Sequence, residues 1–391
     1  MTSAHRYFRI WLGTLLALLL LAGLANFLID PLQVFRRASF YTPHFSENER
    51  YQIPGLARHY AAPIVVLGTS HMENASPSEI AAAFGEPGVK LAIAGSSLTE
   101  QQLALRLVLA TGKAKRILWG LDYAALAWGD KLVDEWGEFP IYLYEPDLRL
   151  VSRYLLSLQT LQDGRKALSE APARGLDELN VWWPQSTFSP ERVAAAWAAQ
   201  EQRWTPELRA RSAAQTIWPK FAATLERRVY DTIRAHPTVR FDLILPPYSI
   251  LGYANDFRLN DEWFFQRMLM RESLRKFAHA QSNVRLWDFQ TETALVTDFR
   301  HYKDLDHFDL ELLRLMLRRV AQDQNAVSDW PMPDLLPRQI ADFLRPHCQG
   351  QGNPAYCTAY IRCGAARLEA WLETGGAPAR ALEFAHRACP G

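Results

Sequence analysis

Between residues 61 and 123, apolar and mixed segments follow one another in a repeating order. "PIVVLG" at 63–68, "VKLAIAG" at 89–95 and "KRILWGLDY" at 115–123 are short apolar runs with many β-branched residues. Such runs suit strands buried on both faces. Between them, "SPSEIAAAF" at 76–84 and "LTEQQLALRLVLATG" at 98–112 read as helices. The first has Glu79 three residues after Ser76, the spacing of a capping box, and the second ends at Gly112. Strands alternating with helices at this spacing imply parallel strands joined by crossover helices. The rhythm breaks at 124–220, a stretch with many Trp, Tyr and Arg residues, several prolines and helix-like parts such as 191–202. It reads as a largely helical insertion, a lid or a groove wall. The rhythm resumes with a helix at 220–235, a strand "RFDLILPP" at 240–247, a helix at 262–281, a strand "VRLWDF" at 284–289 and a helix at 309–323. The pattern predicts an α/β domain over 61–330 with about five parallel strands. A polar linker with aromatics at 31–60 precedes it, and a small, separate helical tail at 331–391 follows.

Residues 10–29 are twenty consecutive positions without a charge, enough to cross a bilayer core as a helix. Arg6 and Arg9 precede the run and Asp30 follows it, so the positive-inside rule leaves the N-terminus in the cytoplasm and exports the body. The competing reading is a cleaved signal peptide with small residues "GLA" at 23–25. The apolar run continues to Ile29, which favours a retained anchor over residues 1–30. The four cysteines, Cys348, Cys357, Cys363 and Cys389, all lie in the tail and match no common zinc spacing. In an oxidising compartment disulfides are the default. Two helices around the turn "TGGAP" at 374–378 would bring Cys389 to Cys363, leaving Cys348 to pair with Cys357.

The remaining composition narrows the class. Of 391 residues, 49% are apolar and 22% charged, which is globular. The net charge is +1 and no basic stripe is present, which argues against a nucleic-acid partner. Tryptophan occurs 13 times, several copies between 119 and 218. Some could face sugar, although core positions are the commoner use.

Ligands of open α/β sheets bind beyond the carboxyl ends of the strands. Ser70 and Asn74 follow the first strand, Gly95, Ser96 and Ser97 the second, Asp122 and Tyr123 the third, and Asp304 and His307 the last. All should share one rim. A serine hydroxyl needs a base within hydrogen-bond reach; His307 can serve, with Asp304 holding its ring. Asp306 and Asp309 compete with Asp304 for that part. The amides of Ser70 and Gly95 are candidate donors to an oxyanion, Asn74 is the nearest side-chain amide, and Asp122 is a further substrate-facing candidate. Ser96 and Ser97 read as helix caps, Asp288 as structural, and His71 as an exposed rim residue. One histidine among the acids of "DLDHFD" does not make a metal site, and the chemistry calls for no metal or cofactor.

The "GTS" after the first strand, the glycine after the second and the Asp-x-x-His after the last resemble the SGNH (GDSL-type) hydrolase superfamily. The likeness covers roughly 60–310, less the insertion. With its N-terminal anchor, the chain is most similar to the membrane-tethered SGNH-like proteins of bacterial polysaccharide O-acetylation, such as the alginate O-acetylation proteins, and to the D-alanyl transfer protein of teichoic acid. The resemblance implies a flavodoxin-like three-layer sandwich, with Ser70 as nucleophile, Gly95 as oxyanion donor and Asp304 and His307 completing a triad. It also implies acyl transfer to, or hydrolysis from, a cell-envelope polysaccharide. The protein would sit in the bacterial inner membrane with its body in the periplasm, and a multi-spanning membrane acyltransferase would supply the acyl group. The chain departs from the superfamily after the third strand, where Gly-x-Asn-Asp is usual and "GLDY" stands, with Gly120 and Asp122. The usual oxyanion asparagine is missing there, which moves that role to Asn74. The alternative is a non-catalytic accessory or scaffold protein that binds glycan or partner proteins in a synthesis-export complex.

Overall fold

The structure is a computed structural model that describes residues 3–132, 138–145, 148–170, 175–203, 218–259, 261–324 and 335–357. It opens with helix α1 (Ser3–Ile29), followed by α2 (Glu49–His59), β1 (Ile64–Leu67), α3 (Pro77–Phe84), β2 (Gly88–Lys90), α4 (Leu98–Leu109) and β3 (Arg116–Gly120). The strands pair in parallel in the order β2-β1-β3-β4-β5, with β4 at Arg240–Leu245 and β5 at Val284–Asp288. Val65 lies opposite Val89 on one side and Ile117 on the other, and Leu243 opposite Leu286. The predicted strands are therefore all present, and the chain reverses its winding direction between β1 and β3.

Each strand is buried on both faces, and successive side chains serve different cores because the strand period is two. Val65, Leu67, Ile117, Trp119, Phe241 and Leu243 pack beneath α2, α4 and the helix α8 described below. Ile64, Val66, Leu118, Ile244 and Trp287 pack on the other side against α3 and the helices at Ile250–Leu259, Leu310–Ala321 and Leu335–Cys348. The result is a three-layer α/β sandwich.

The insertion is largely helical where described, with irregular backbone at 175–189. It holds α5 (Tyr123–Trp128), short turns at Ile141–Tyr144 and Val151–Leu155, α6 (Leu158–Ser169) and α7 (Pro190–Arg203). Helix α8 (Trp218–Leu225) runs through a π-turn at Glu226–Tyr230 into Asp231–Arg234. The remaining helices are α9 (Ile250–Leu259), α10 (Asp261–Ala280), α11 (Leu310–Ala321) and α12 (Leu335–Cys348). At α3, Ser76 caps the Glu79 amide as expected, but the Glu79 carboxylate pairs with Arg314 at 2.6 Å. The reciprocal capping box forms instead at α4, between Ser97 and Glu100.

Two expectations need correction. The 31–60 stretch contains α2, which packs against α4 and buries Arg50, Gln52, Ile53 and Leu56. Its polar character misled because the polar groups are buried in pairs: Arg50 meets Glu100 at 3.1 Å, and Gln52 bonds the backbone at Ser46 and Leu32. The tail is not separate as far as residue 357, since Leu336, Ile340, Ala341 and Leu344 of α12 join Leu313 and Met316 in the second core. Trp197 of α7 donates to the Ala355 carbonyl at 2.9 Å, which ties the tail to the insertion. The Cys348–Cys357 disulfide forms as expected, with Cα atoms 5.1 Å apart. Cys363 and Cys389 lie outside the described residues.

Candidate active site

The turn after β1 is shaped by close packing. Gly68 has φ +151°, and a Cβ there would sit 2.7 Å from Met72 Cγ and 3.0 Å from the Gly120 carbonyl. Only glycine fits. The chain then enters a 3₁₀ turn at Ser70–Met72, with Met72 fully buried and Ser70 partly exposed. The loop that carries the base is closed by an antiparallel bridge between Tyr302 and Phe308. Ser249, just after β4, donates both its amide and its hydroxyl to the Leu305 carbonyl, at 3.1 and 2.7 Å. This fastens the loop to the carboxyl edge of the sheet.

These two turns bring together side chains 237 residues apart. Ser70 Oγ lies 2.9 Å from His307 Nε2. His307 Nδ1 lies 2.9 Å from Asp304 Oδ2 and 3.1 Å from Oδ1. With Nδ1–H donated to Asp304, Nε2 presents its lone pair to the serine hydroxyl. Asp304 Oδ1 also accepts the amides of His307 at 2.8 Å and Asp306 at 2.9 Å. Burial alone would raise this carboxyl; the His307 ring and the two amides outweigh it and hold it well below the ordinary range. Asp309 is occupied elsewhere, capping α11 through Leu312 and meeting His301 Nδ1 at 2.7 Å. His301, Asp309 and Glu311 bring ligand atoms within 4.8 Å of one another, and within this group His301 and Asp309 are hydrogen-bonded to each other.

Among the described residues, neither the Ser70 nor the Gly95 amide has an intramolecular acceptor. Gly95 has φ +57° and lies under the Trp128 ring, which a Cβ would approach to 3.0 Å. Its loop is held by α2. Glu49 accepts the Ala94 amide at 2.7 Å, and Arg50 donates to the Ala94 and Gly95 carbonyls at 3.2 and 3.4 Å. Asn74 is buried, and its Oδ1 accepts the amides of Trp182 and Trp183 at 3.2 and 3.3 Å. Trp182 Nε1 in turn donates to the Ser70 carbonyl at 3.2 Å. Asn74 and Trp182 thus pin the insertion onto the Ser70 turn.

Asp122 does not face substrate. It is buried and accepts from Tyr248 Oη at 2.6 Å, His71 Nδ1 at 3.0 Å and the Thr69 hydroxyl. Burial would raise the carboxyl, but His71 and these hydrogen bonds bring it down to about 2. An ionised carboxylate has no proton to give an oxyanion, so its place as a substrate-facing group is corrected to one of support. His71 is also corrected: it is buried, not rim-exposed, and its ring lies between those of Tyr248 and His307. The sequence signal was only its position next to Ser70; nothing local revealed the Asp122 partner. Ser97 caps α4, and Ser96 is buried and accepts from Gln101 at 2.9 Å.

A carboxyl pair also supports the site. Burial, followed by the hydrogen bond and charge of Glu49, raises the Glu73 carboxyl well above its ordinary range. The Glu73 carboxyl thus resists ionisation beside Glu49, which holds Ala94. Of the tryptophans, Trp119, Trp197 and Trp287 are core, Trp182 meets the His307 ring edge at 5.7 Å, and Trp128 and Trp183 are exposed. Taken together, the site holds a hydrogen-bonded Ser-His-Asp chain on an accessible rim, with two amides open to a developing negative charge. The chain matches no protein-family model and no curated protein.

Proposed function

We propose that the protein is a serine acyl-transfer enzyme of the SGNH type, an O-acetyltransferase or acetylesterase acting on a cell-envelope polysaccharide. The observation that carries this reading is the continuous chain Ser70–His307–Asp304, with both key distances at 2.9 Å. In the first step Ser70 Oγ attacks the acyl carbonyl while its proton passes to His307 Nε2. The negative charge on the former carbonyl oxygen is met by the Ser70 and Gly95 amides. The C–O bond to the leaving alcohol then breaks, and that oxygen takes the proton from His307, leaving acyl-Ser70. A sugar hydroxyl or water next gives its proton to His307 and attacks the acyl carbon, which returns Ser70. A sugar acceptor makes the enzyme a transferase, and water makes it an esterase.

Helix α1 is the membrane anchor in this reading, being long and apolar enough to cross a bilayer. The body lies in the periplasm of a bacterial inner-membrane protein, where the Cys348–Cys357 disulfide is at home. A multi-spanning membrane acyltransferase supplies the acyl group to the transferase form. Exposed Trp128 and Trp183 near the catalytic turns suit a sugar chain. The presence of Asp122 where the superfamily carries its oxyanion asparagine favours a second reading, a non-catalytic scaffold that retains the fold. Turnover of p-nitrophenyl acetate that is lost in Ser70→Ala and His307→Ala, with fluorophosphonate labelling of Ser70, is the result expected of the enzyme. Absence of both turnover and labelling in the folded wild-type chain would establish the scaffold.

A further inference from the structure

The last third of α1 is covered on one side by the body. Gly23 approaches Leu156, where an added Cβ would lie 3.4 Å from Leu156 Cδ2, and Gly164 of α6 lies against Ile29 at the equivalent distance of 3.3 Å. Asn26 is buried between them, and its Nδ2 donates to the Leu155 and Ser157 carbonyls at 2.7 and 3.1 Å. On the other side, Leu21, Leu24, Phe27 and Leu28 remain 40–62% exposed.

At the α-helical rise, Gly23 lies about 9 Å before Ile29 along the axis. The body therefore reaches back past the end of the apolar run of α1. Its backbone is irregular there, where the π-turn Val151–Leu155 gives way to Ser157, the cap of α6. Irregular backbone is tolerated at membrane depth only where its polar groups are satisfied by protein. Asn26 supplies that satisfaction at the break.

The surface beside this joint has exposed leucines flanked by charged side chains of both signs. Leu156, Leu158 and Leu168 are 41%, 74% and 52% exposed. At 3.6 residues per turn, Leu158, Leu161, Arg165 and Leu168 of α6 fall within about 80° of one another. An open groove of about 900 Å³ between Ile29 and α6 is lined by Leu161 and Leu168, by Arg165 and Lys166, and by the acids Asp163 and Glu170. Interfacial helices bury an apolar face roughly 5–10 Å into the headgroup–acyl boundary, which matches the reach of the body along α1.

We propose that the segment 151–169 is a second membrane contact that lies in the bilayer interface beside α1. Leu156, Leu158 and Leu168 enter the upper acyl region, while Arg165 and Lys166 meet headgroup phosphates. The proposal rests on the reading of α1 as a membrane span. Its occupant is lipid, because the apolar surface is continuous with the exposed face of the anchor. The joint is also stiff: Asp30 accepts the amides of Val34, Phe35 and Arg36 at 2.9, 2.8 and 3.1 Å and the Tyr154 hydroxyl at 2.8 Å. The body is consequently held at one orientation to the bilayer instead of swinging on a tether.

The test uses the full chain in vesicles of phosphatidylethanolamine and phosphatidylglycerol that carry nitroxide lipids. An environment-sensitive fluorophore is placed through Leu158→Cys, Leu168→Cys, Leu16→Cys within α1, or the exposed loop variant Lys113→Cys, each read against the parent chain taken through the same labelling. The expected result is a blue-shifted emission at 158 and 168, quenched more by nitroxide near the headgroup than by nitroxide near the chain end. The Leu16 label is quenched most by the deep nitroxide, and the Lys113 label by neither. Quenching at 16 with none at 158 and 168 overturns the second contact while leaving the anchor intact. Absence of quenching at 16 overturns the anchor and the proposal together. Labels at 158 and 168 that are shielded in native membranes yet unquenched in these vesicles would assign the surface to a protein partner and also overturn the proposal.

Discussion

The ring of His71 lies parallel to that of His307, with centroids 4.8 Å apart and planes 9° apart. His71 is itself fixed from behind by Asp122, at 3.0 Å from its Nδ1, and by the stacked ring of Tyr248. His307 is thus held from two directions, by Asp304 at its Nδ1 and by His71 against its face. Removal of the face in His71→Ala is expected to lower kcat by roughly 10²-fold, the scale of a small misplacement of a reacting group, with little change in KM. His71→Phe keeps the stack and is expected to recover part of the loss. Steady-state kinetics with p-nitrophenyl acetate separates the two variants; equal loss in both would assign the effect to the Asp122 contact instead of the stack.

Asp304→Asn preserves shape but removes the charge that orients His307 and stabilises its protonated form. Activity is expected to fall by roughly 10³–10⁴-fold. The same carboxyl carries a stability signature. Its folded pKa is depressed by His307 and two amides, so the stability it contributes is present above the unfolded carboxylate pKa and lost as pH falls through the folded value. Thermal unfolding followed from neutral to acid pH should therefore show a smaller decline in Asp304→Asn than in the wild type. An unchanged slope would remove this ion pair from the acid response.

Glu73 behaves in the opposite sense. Its folded pKa is raised by burial and by Glu49, so the folded chain keeps a proton that the unfolded chain has released. Stability then falls as pH rises from the ordinary carboxylate range towards the raised value. Glu73→Gln keeps a donor for Glu49 without the titration. Its melting temperature relative to wild type is expected to rise as pH climbs above the ordinary carboxylate range towards the raised value. A constant difference across that range would show that Glu73 does not hold the proton.

The strand ends and the triad were legible because they rest on local signals: apolar runs that stop at Gly68 and Gly120, and an Asp-x-x-His that one short loop can deliver. The supports were not legible because they are long-range pairings of polar groups. His71 looked like a rim residue until Asp122, which follows β3 at the start of α5, took its Nδ1. Asn74 offered the nearest side-chain amide; that its oxygen accepts from Trp182 and Trp183 in the insertion was not legible, because no periodicity announced that contact. The polar stretch 31–60 concealed α2 for the same reason, since Arg50 and Gln52 are buried only because their partners lie far along the chain or in irregular backbone.

Arg50 is the sharpest case. It pairs with the fully buried Glu100 and reaches the carbonyls of Ala94 and Gly95, so one side chain joins the core to the oxyanion loop. Loss of one partner of a buried ion pair leaves the other charge stranded, at a cost of about 3–5 kcal/mol. Arg50→Ala is expected to destabilise by that order in urea unfolding. The double variant Arg50→Met with Glu100→Leu removes both charges and should recover much of it, less about 1 kcal/mol for the capping box that Glu100 forms with Ser97. Activity provides an independent reading, because the double variant still lacks the donor to the Ala94 and Gly95 carbonyls. It should fold well and yet retain a reduced kcat. Full recovery of both stability and kcat would mean that the Gly95 loop is set without Arg50, by the Glu49 contact to Ala94 alone.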